Sequence, residues 1–566
     1  MNLSFPLGYD DFARIREENF YYVDKTGFIL ELLSRKFQAN LITRPRRFGK
    51  TLTMSMLEDF FDIRRDSRAH FEKLKISEHA KLCEAWQNQW PVIFLTLKSV
   101  EGNDFDTAYE RLQILLAELF RKHDYLSVSS KVNPADAADF MAVRDTKASL
   151  AQTTNSLVLL TRMMAAHYDK PVILLIDEYD VPLAKSSENH YYKEMLDVVR
   201  ALFGVLKTNE FLKFAVVTGC LRIAKESIFT GTNNLVSDTI TDDRFNEFIG
   251  FTQRDVDQLL IDADLTEQGE KMKRWYDGYR FGAVEVYCPW DVLNYTSALQ
   301  SNPEALPRSY WENTSHNGII RQFIERRDLW EEEHINDDFE TLINGGTIEK
   351  TVTTNLTYDT IHASAENLWS LMFLTGYLTQ AGVKASKNQP EGAQDSLWDI
   401  TLRIPNEEIK SLFRTTVKEW FKDTVKSTKR SELFKALWNQ DEETCARKLS
   451  EMAFDTISFY DYKEDFYHAF VTGIVSYAGY KVKSNREQGE GRSDILLLDE
   501  RHMRAIVIEV KHAKTLNEQS RMCDDALKQI RDNGYAKALE DEYEEILCYG
   551  VSFYKKRCAV KSEKYK

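Results

Sequence analysis

Compact apolar runs recur along the first 220 residues, separated by stretches whose apolar residues fall at helical spacing. The run Asn40–Thr43 leads into the loop RPRRFGK and then into TLTMSMLEDFF, where Leu52, Met56 and Phe60 repeat every four residues, the period of one helix face. That order predicts a strand, a loop and a helix. Further apolar runs at Val92–Leu97, Val172–Ile176 and Phe214–Val217 predict strands. Strands alternating with long helical stretches predict a parallel α/β sheet.

From about residue 245 the pattern turns mixed and aromatic, through WYDGYRFG (275–282), VYCPWDVL (286–293) and YWENTSHN (310–317), and is read as a helical lid and connecting region. A third block, ENLWSLMFLTGYLT (366–379) followed by LRIPNEEI (402–409), reads as a helix and strand-like pieces compatible with a winged-helix-like module; the polar stretch Lys387–Ser396 is a loop inside it. Near the C-terminus the period changes to two. In AIVIEVK (505–511), Ile506, Ile508 and Val510 share one face, and Val507, Glu509 and Lys511 the other. The expected division is 1–240, a phosphate-loop sheet domain; 241–330, the lid; 331–410, the winged-helix-like region; 411–460, a helical linker; and 461–566, a second α/β unit.

Composition narrows the classes. With 566 residues, 43% hydrophobic, 29% charged, and only 23 Gly and 11 Pro, the chain is neither collagenous nor largely disordered. Its net charge of −15 resides in residues 1–460, because 461–566 carry 19 basic and 19 acidic residues. The C-terminal unit is thus the part least repelled by a polyanion. The start, MNLSFPLGYDDF, has no signal-peptide pattern and no apolar run is long enough to span a bilayer, so a cytoplasmic protein without membrane contact is expected. Seven scattered cysteines without CxxC spacing suit reduced thiols.

Two constellations carry chemistry. Phe48-Gly49-Lys50-Thr51 supplies the second half of a phosphate-binding loop: backbone N–H groups at a helix start, a lysine for the outer phosphates and a hydroxyl for Mg²⁺. Its first half departs from the pattern. Arg44 stands where glycine is expected, and Pro45 offers no N–H; Arg46 and Arg47 add charge that could hold phosphate. The apolar run ending in Asp177-Glu178 offers one carboxylate for Mg²⁺ and one to polarise the attacking water. Thr218 and Arg222, after the next strand, are candidates for sensing the γ-phosphate.

The second constellation is Asp494, Glu509 and Lys511. A hairpin-length turn between Asp499 and Arg504 brings Asp494 beside Glu509, so that two carboxylates and an ammonium meet, as metal-assisted phosphodiester hydrolysis requires. Glu464, on a helix from about Tyr462 to Ala478, could add a third carboxylate, with His468 structural. Gln529, on the helix Asn517–Arg531, could orient Glu509 or Lys511.

These strings, with YVDKT (22–26), LLIDEYD (174–180), YDGYRFG (276–282), IPNEE (404–408), NREQGEGRSDI (485–495) and IEVKHA (508–513), resemble the bacterial AAA-ATPase-like family whose members carry a C-terminal PD-(D/E)XK nuclease-superfamily domain. Cys288 stands where the family's Tyr-x-Pro-Trp element has Asn. The resemblance implies an α/β multidomain fold: a P-loop (AAA-like) parallel-sheet ATPase domain, a helical lid and winged-helix-like region, and a restriction-endonuclease-like α/β domain. It also implies ATP, Mg²⁺ or Mn²⁺ as cofactors and nucleic acid, DNA more than RNA, as partner, with a homo-oligomer possible. The expected function is an ATP-regulated nuclease, defence against foreign DNA being a guess from architecture. The alternative is a nucleotide-dependent switch or scaffold whose nuclease-like domain only binds nucleic acid or a protein.

Overall fold

The computed structural model describes residues 3–207, 209–222, 234–311, 335–354, 356, 358, 361, 364–383, 397–416, 431–456, 464–475, 481–488 and 491–566. The chain divides into two compact units, Met1–Thr314 with Thr347–Ser411, and Ser315–Gly346 with Leu412–Lys566.

The first unit is organised by five parallel strands, β1 (Ala39–Thr43), β2 (Val92–Thr96), β3 (Val172–Asp177), β4 (Leu212–Gly219) and β5 (Leu235–Asp238), in the order β2-β3-β4-β1-β5. Every residue of β1 and β3 is buried, as in parallel strands covered on both faces, which is why they read as unbroken apolar runs. Helix α1 (Lys50–Phe61) follows β1 directly. Met56 and Phe60 are buried as their spacing predicts, whereas Leu52 is only half-buried. Helix α2 (Phe105–Lys122), with a side-chain N-cap from Asp104, and helix α3 (Ser156–Tyr168) pack Leu112, Leu116, Leu160 and Met164 into the main core with Leu174 and Ile176.

Beyond the sheet lie α4 (Gln253–Asp262), α5 (Gly269–Tyr276), the hairpin β6 (Tyr279–Phe281) and β7 (Val284–Val286), and α6 (Pro289–Ser301). A capping box at Thr252 and Asp255 starts α4, and Pro289 opens α6, where a missing N–H costs nothing. Antiparallel strands β8 (Ile348–Thr353), β9 (Thr379–Val383) and β10 (Leu397–Arg403) form a sheet in the order β8-β10-β9, with α7 (Ala365–Thr375) between β8 and β9. The expected loop Lys387–Ser396 lies outside the described residues.

The second unit has helices α8 (Ser431–Trp438), α9 (Glu442–Thr456) and α10 (Glu464–Val475), strands β11 (Lys481–Gln488), β12 (Gly491–Asp499) and β13 (Arg504–His512), helix α11 (Gln519–Asp532), and strands β14 (Glu545–Tyr554) and β15 (Arg557–Lys564). The strands are ordered β11-β12-β13-β14-β15, with β13 and β14 parallel and the other pairs antiparallel. Ile506, Ile508 and Val510 pack with α8, α9 and α10, while Val507 and Leu496 pack with Leu527 and Ile530 of α11 on the other face. The two-residue alternation along β13 thus separates two cores. Among the described residues, no helix is long and apolar enough to cross a membrane.

Candidate functional site

The first site lies at the C-terminal ends of β1, β3 and β4, where ligands gather in open parallel sheets. The loop after β1 enters α1 through Gly49, whose φ of 90° favours a residue without Cβ. Thr51 Oγ1 donates to Asp177 Oδ2 at 2.8 Å, and Thr218 Oγ1 donates to Asp177 Oδ1 at 2.6 Å. Two adjacent strands, β3 and β4, and the helix that follows β1 therefore deliver one carboxylate and two hydroxyls to one point. Burial pushes the Asp177 carboxyl up, against the pull of Thr218 and Thr51.

Lys50 is buried, and its ammonium donates to the carbonyls of Arg44 and Pro45, each at 3.0 Å. Burial pulls this lysine down, but Cys220, Glu178, Asp177 and Asp180 outweigh it and hold it above its ordinary value. Glu178 stands next to Asp177 with a φ of 55° and is partly exposed. Left-handed backbone at a non-glycine residue is a form of strain that clusters at working sites; Arg47, with a φ of 69°, shares it.

The arginines of the loop go in different directions. Arg44 is wholly buried, donating to the carbonyls of Thr43, Asp238 and Arg244 at 2.9–3.1 Å, and burial lowers its pKa to about 10. It ties β1 to the segment after β5. Arg47 donates to the Tyr310 carbonyl and lies 5.4 Å over the Trp290 ring. Arg46 faces Cys220, Asp180 and Glu178. Arg222, partly exposed, follows β4 at the edge of the undescribed stretch 223–233.

Asp180 was not among the expected site residues, although the string LLIDEYD contains it. Its Oδ2 accepts the N–H groups of Cys220 and Leu221, both at 3.0 Å, and the Tyr358 hydroxyl at 3.1 Å. It fixes the turn that follows Thr218. Beside Gly49 opens a cleft of ≈ 550 Å³, open solvent included, walled by Tyr22, Val23, Phe48, Leu52, Phe251 and Pro289. This explains the exposure of Leu52: it lines the cleft and not the core.

In the second unit, Glu509 is buried and accepts from Lys511 Nζ at 3.2 Å. Ile495 pairs with Ile508, so one step along the antiparallel ladder puts Asp494 opposite Glu509. The side chains of Asp494 and Glu464 lie outside the described residues; the backbone of Glu464 begins α10, which packs on the opposite face of the sheet. Gly550 is paired with Glu509, and a Cβ there would meet the Cys523 carbonyl at 2.2 Å. Helix α11 therefore approaches beside Glu509 through Cys523 and Ala526, with half-buried Gln529 three residues on. The amide of Gln519 reaches the carbonyls of Ser552 and Arg557, and Ser552 is paired with Lys511. Among the described residues no group of three or more His, Cys, Asp or Glu could hold a metal.

Residues 6–229 match the family described as Predicted AAA-ATPase, and residues 462–563 match the PD-(D/E)XK nuclease superfamily. The chain thus carries an AAA-ATPase-like domain and a PD-(D/E)XK nuclease-superfamily domain. A relative from Azotobacter chroococcum mcd 1, described as an uncharacterized protein in vnfD 5'region, is 24% identical over 559 residues, which are 97% of this chain and 96% of that one. A solved structure, the Aeropyrum pernix ORC2 protein in ADPNP–ADP complexes, is 10% identical, covers 69% of this chain and 92% of its own, and has a TM-score of 0.22. The AAA-ATPase-like match spans the β1 loop, Asp177, Glu178 and Thr218; the nuclease-superfamily match spans Glu464, Asp494, Glu509, Lys511 and Gln529.

Proposed function

We propose that the protein binds and hydrolyses ATP in its AAA-ATPase-like domain and uses that cycle to control metal-dependent cleavage of nucleic acid, DNA in the first place, by its C-terminal domain. The observation that carries this reading is the meeting of Thr51, Asp177 and Thr218 at the start of α1. Hard oxygen donors beside a helix N-terminus fit Mg²⁺ with a polyphosphate. In this reading Thr51 and Asp177 hold the metal, Lys50 leaves the loop carbonyls for the outer phosphates, Arg46 adds charge, and Glu178 polarises the water. Thr218 and Arg222 read the γ-phosphate. The base lies in the aromatic cleft beside Gly49.

At the second site Asp494 and Glu509 hold a divalent ion, with Glu464 auxiliary, and Lys511 stabilises the nucleophile and the developing charge. Gln529 orients them. When bound, the ion neutralises the scissile phosphate and activates water. The buried contact between Glu509 and Lys511 supports this assignment. A cytoplasmic location and a role against foreign DNA fit the same reading, and self-assembly is its natural extension. The test is nicking of plasmid DNA by the full chain with Mg²⁺ or Mn²⁺, with and without ATP. Cleavage that depends on both metal and Glu509 supports the nuclease; its absence under every nucleotide condition favours a nucleotide-dependent scaffold.

A further inference from the structure

Several strings that the ATPase site leaves unused, CPWD, Tyr310-Trp311 and IPNEE, converge beneath the phosphate loop. Asp291, in the first turn of α6, and Glu408 are both completely buried, and their carboxyl groups hydrogen-bond to each other. Glu408 Oε1 accepts the N–H of Trp311 at 3.0 Å and that of Tyr310. Beyond that mutual contact, Glu408 Oε2 and both oxygens of Asp291 have no donor in full hydrogen-bonding geometry among the described residues, and the Cys288 thiol and the Trp311 indole beside Asp291 favour its ionised form. Two carboxylates in contact, shielded from water, cannot both ionise, so one proton stays between them and the pair titrates by gaining or losing a second. Burial pushes both groups upward, and at Glu408 the Asp291 charge adds to the rise.

The surroundings are nearly neutral. Cys288, Tyr276, Tyr279 and Tyr310 face the pair, each kept protonated by burial; Arg308 lies over the outer ring of Tyr310. The cation that acts on Asp291 is Arg47. Its guanidinium is held by the Tyr310 carbonyl, one residue's length from the N–H that Glu408 grips, and its own carbonyl accepts from Cys288 Sγ at 3.6 Å. Arg47 belongs to the phosphate loop.

We propose that the Asp291–Glu408 pair is a proton-binding site coupled through Arg47 to the phosphate loop, so that nucleotide binding takes up a proton there. The inference rests on the nucleotide reading above. A polyphosphate at Gly49–Thr51 either draws Arg47 toward itself or offsets its charge. Both effects make the potential at the pair more negative and its proton tighter, so the sign does not depend on which occurs. By reciprocity, nucleotide affinity rises as the pH falls through the pair's titration.

The test is calorimetric titration of MgATP into the full chain in buffers of different ionisation enthalpy, between about pH 6 and pH 8. A one-unit shift in the pair corresponds to an uptake of about half a proton at its peak. Asp291→Asn and Glu408→Gln should each still bind MgATP and lose this uptake, keeping only the protons of the nucleotide itself. The two carboxyl variants are independent, so either one serves if the other misfolds. Equal proton counts in wild type and these variants overturn the coupling and leave the nucleotide reading standing. No MgATP binding by the wild type removes the nucleotide reading, and the coupling with it.

Discussion

Thr218→Val probes the geometry around Asp177 with a minimal change: the side chain keeps its shape and loses one hydroxyl. That hydroxyl donates to Asp177 Oδ1 at 2.6 Å. A hydrogen bond to a charged group contributes about 1.5–3 kcal/mol, and at a wholly buried carboxyl water cannot replace it. At about pH 7.5 the variant should be less stable by about 2 kcal/mol, lowering the melting point of the first unit by about 2–3 °C. The pH dependence follows from the sign. Burial raises the Asp177 carboxyl, and Thr218 holds it partly back, so the bond stabilises the ionised form. Its contribution is complete where the wild-type carboxylate is ionised and fades as the pH falls through that group's titration. Scanning calorimetry of both proteins should therefore show a gap that narrows as the pH is lowered, beginning above the ordinary carboxylate range. A gap independent of pH, or one below about 0.5 kcal/mol at pH 7.5, would mean that Thr218 does not support an ionised Asp177.

Lys50→Ala should weaken ATP binding by at least tenfold because a point charge at the outer phosphates is lost, while Glu178→Gln should bind normally and turn over slowly; unchanged affinity in Lys50→Ala by titration calorimetry removes the loop assignment. Removing Asp494 or Glu509 should abolish cleavage together with Mn²⁺ binding, whereas Lys511→Ala should bind Mn²⁺ and lose rate, read by metal titration beside a nicking assay. Gly550→Ala should destabilise the C-terminal unit by about 3 kcal/mol, since its Cβ would meet a backbone carbonyl at 2.2 Å; a denaturation midpoint equal to wild type contradicts the close approach of α11.

The parallel strands were legible because a strand buried on both faces leaves an unbroken apolar run. β2, β3 and β4 extend over or within a residue or two of the runs that predict them. β12 begins three residues before the expected Asp494, since polar residues can pair in a ladder that apolar pattern does not mark. Alternation along β13 gave the correct faces, because one-residue register errors would bury Glu509 and Lys511 among Leu497 and Phe470. Leu52 defeated the helical pattern, as an apolar side chain lines a cleft as readily as a core. Asp180, Asp291 and Glu408 stand in LLIDEYD, CPWD and IPNEE, where the sequence alone assigns them no role. Their partners lie 40 to 178 residues away, and no local spacing announces such contacts.

The arginine-rich loop shows why a partial motif can still build a site. A glycine-rich loop uses backbone N–H groups and leaves its side chains out of the fold. Here Pro45 has no N–H to offer, and the side chains are structural: Arg44 joins β1 to the segment after β5, and Arg47 joins the loop to Tyr310 and Trp290. Arg46 turns to the acids. Each tie links the loop to a different part of the first unit, so a charge placed at Lys50 acts on three attachments at once. A loop built this way trades some of the cradle's donors for connection: any shift of its backbone on binding phosphate must be felt at Asp238, at Tyr310 and at the turn held by Asp180.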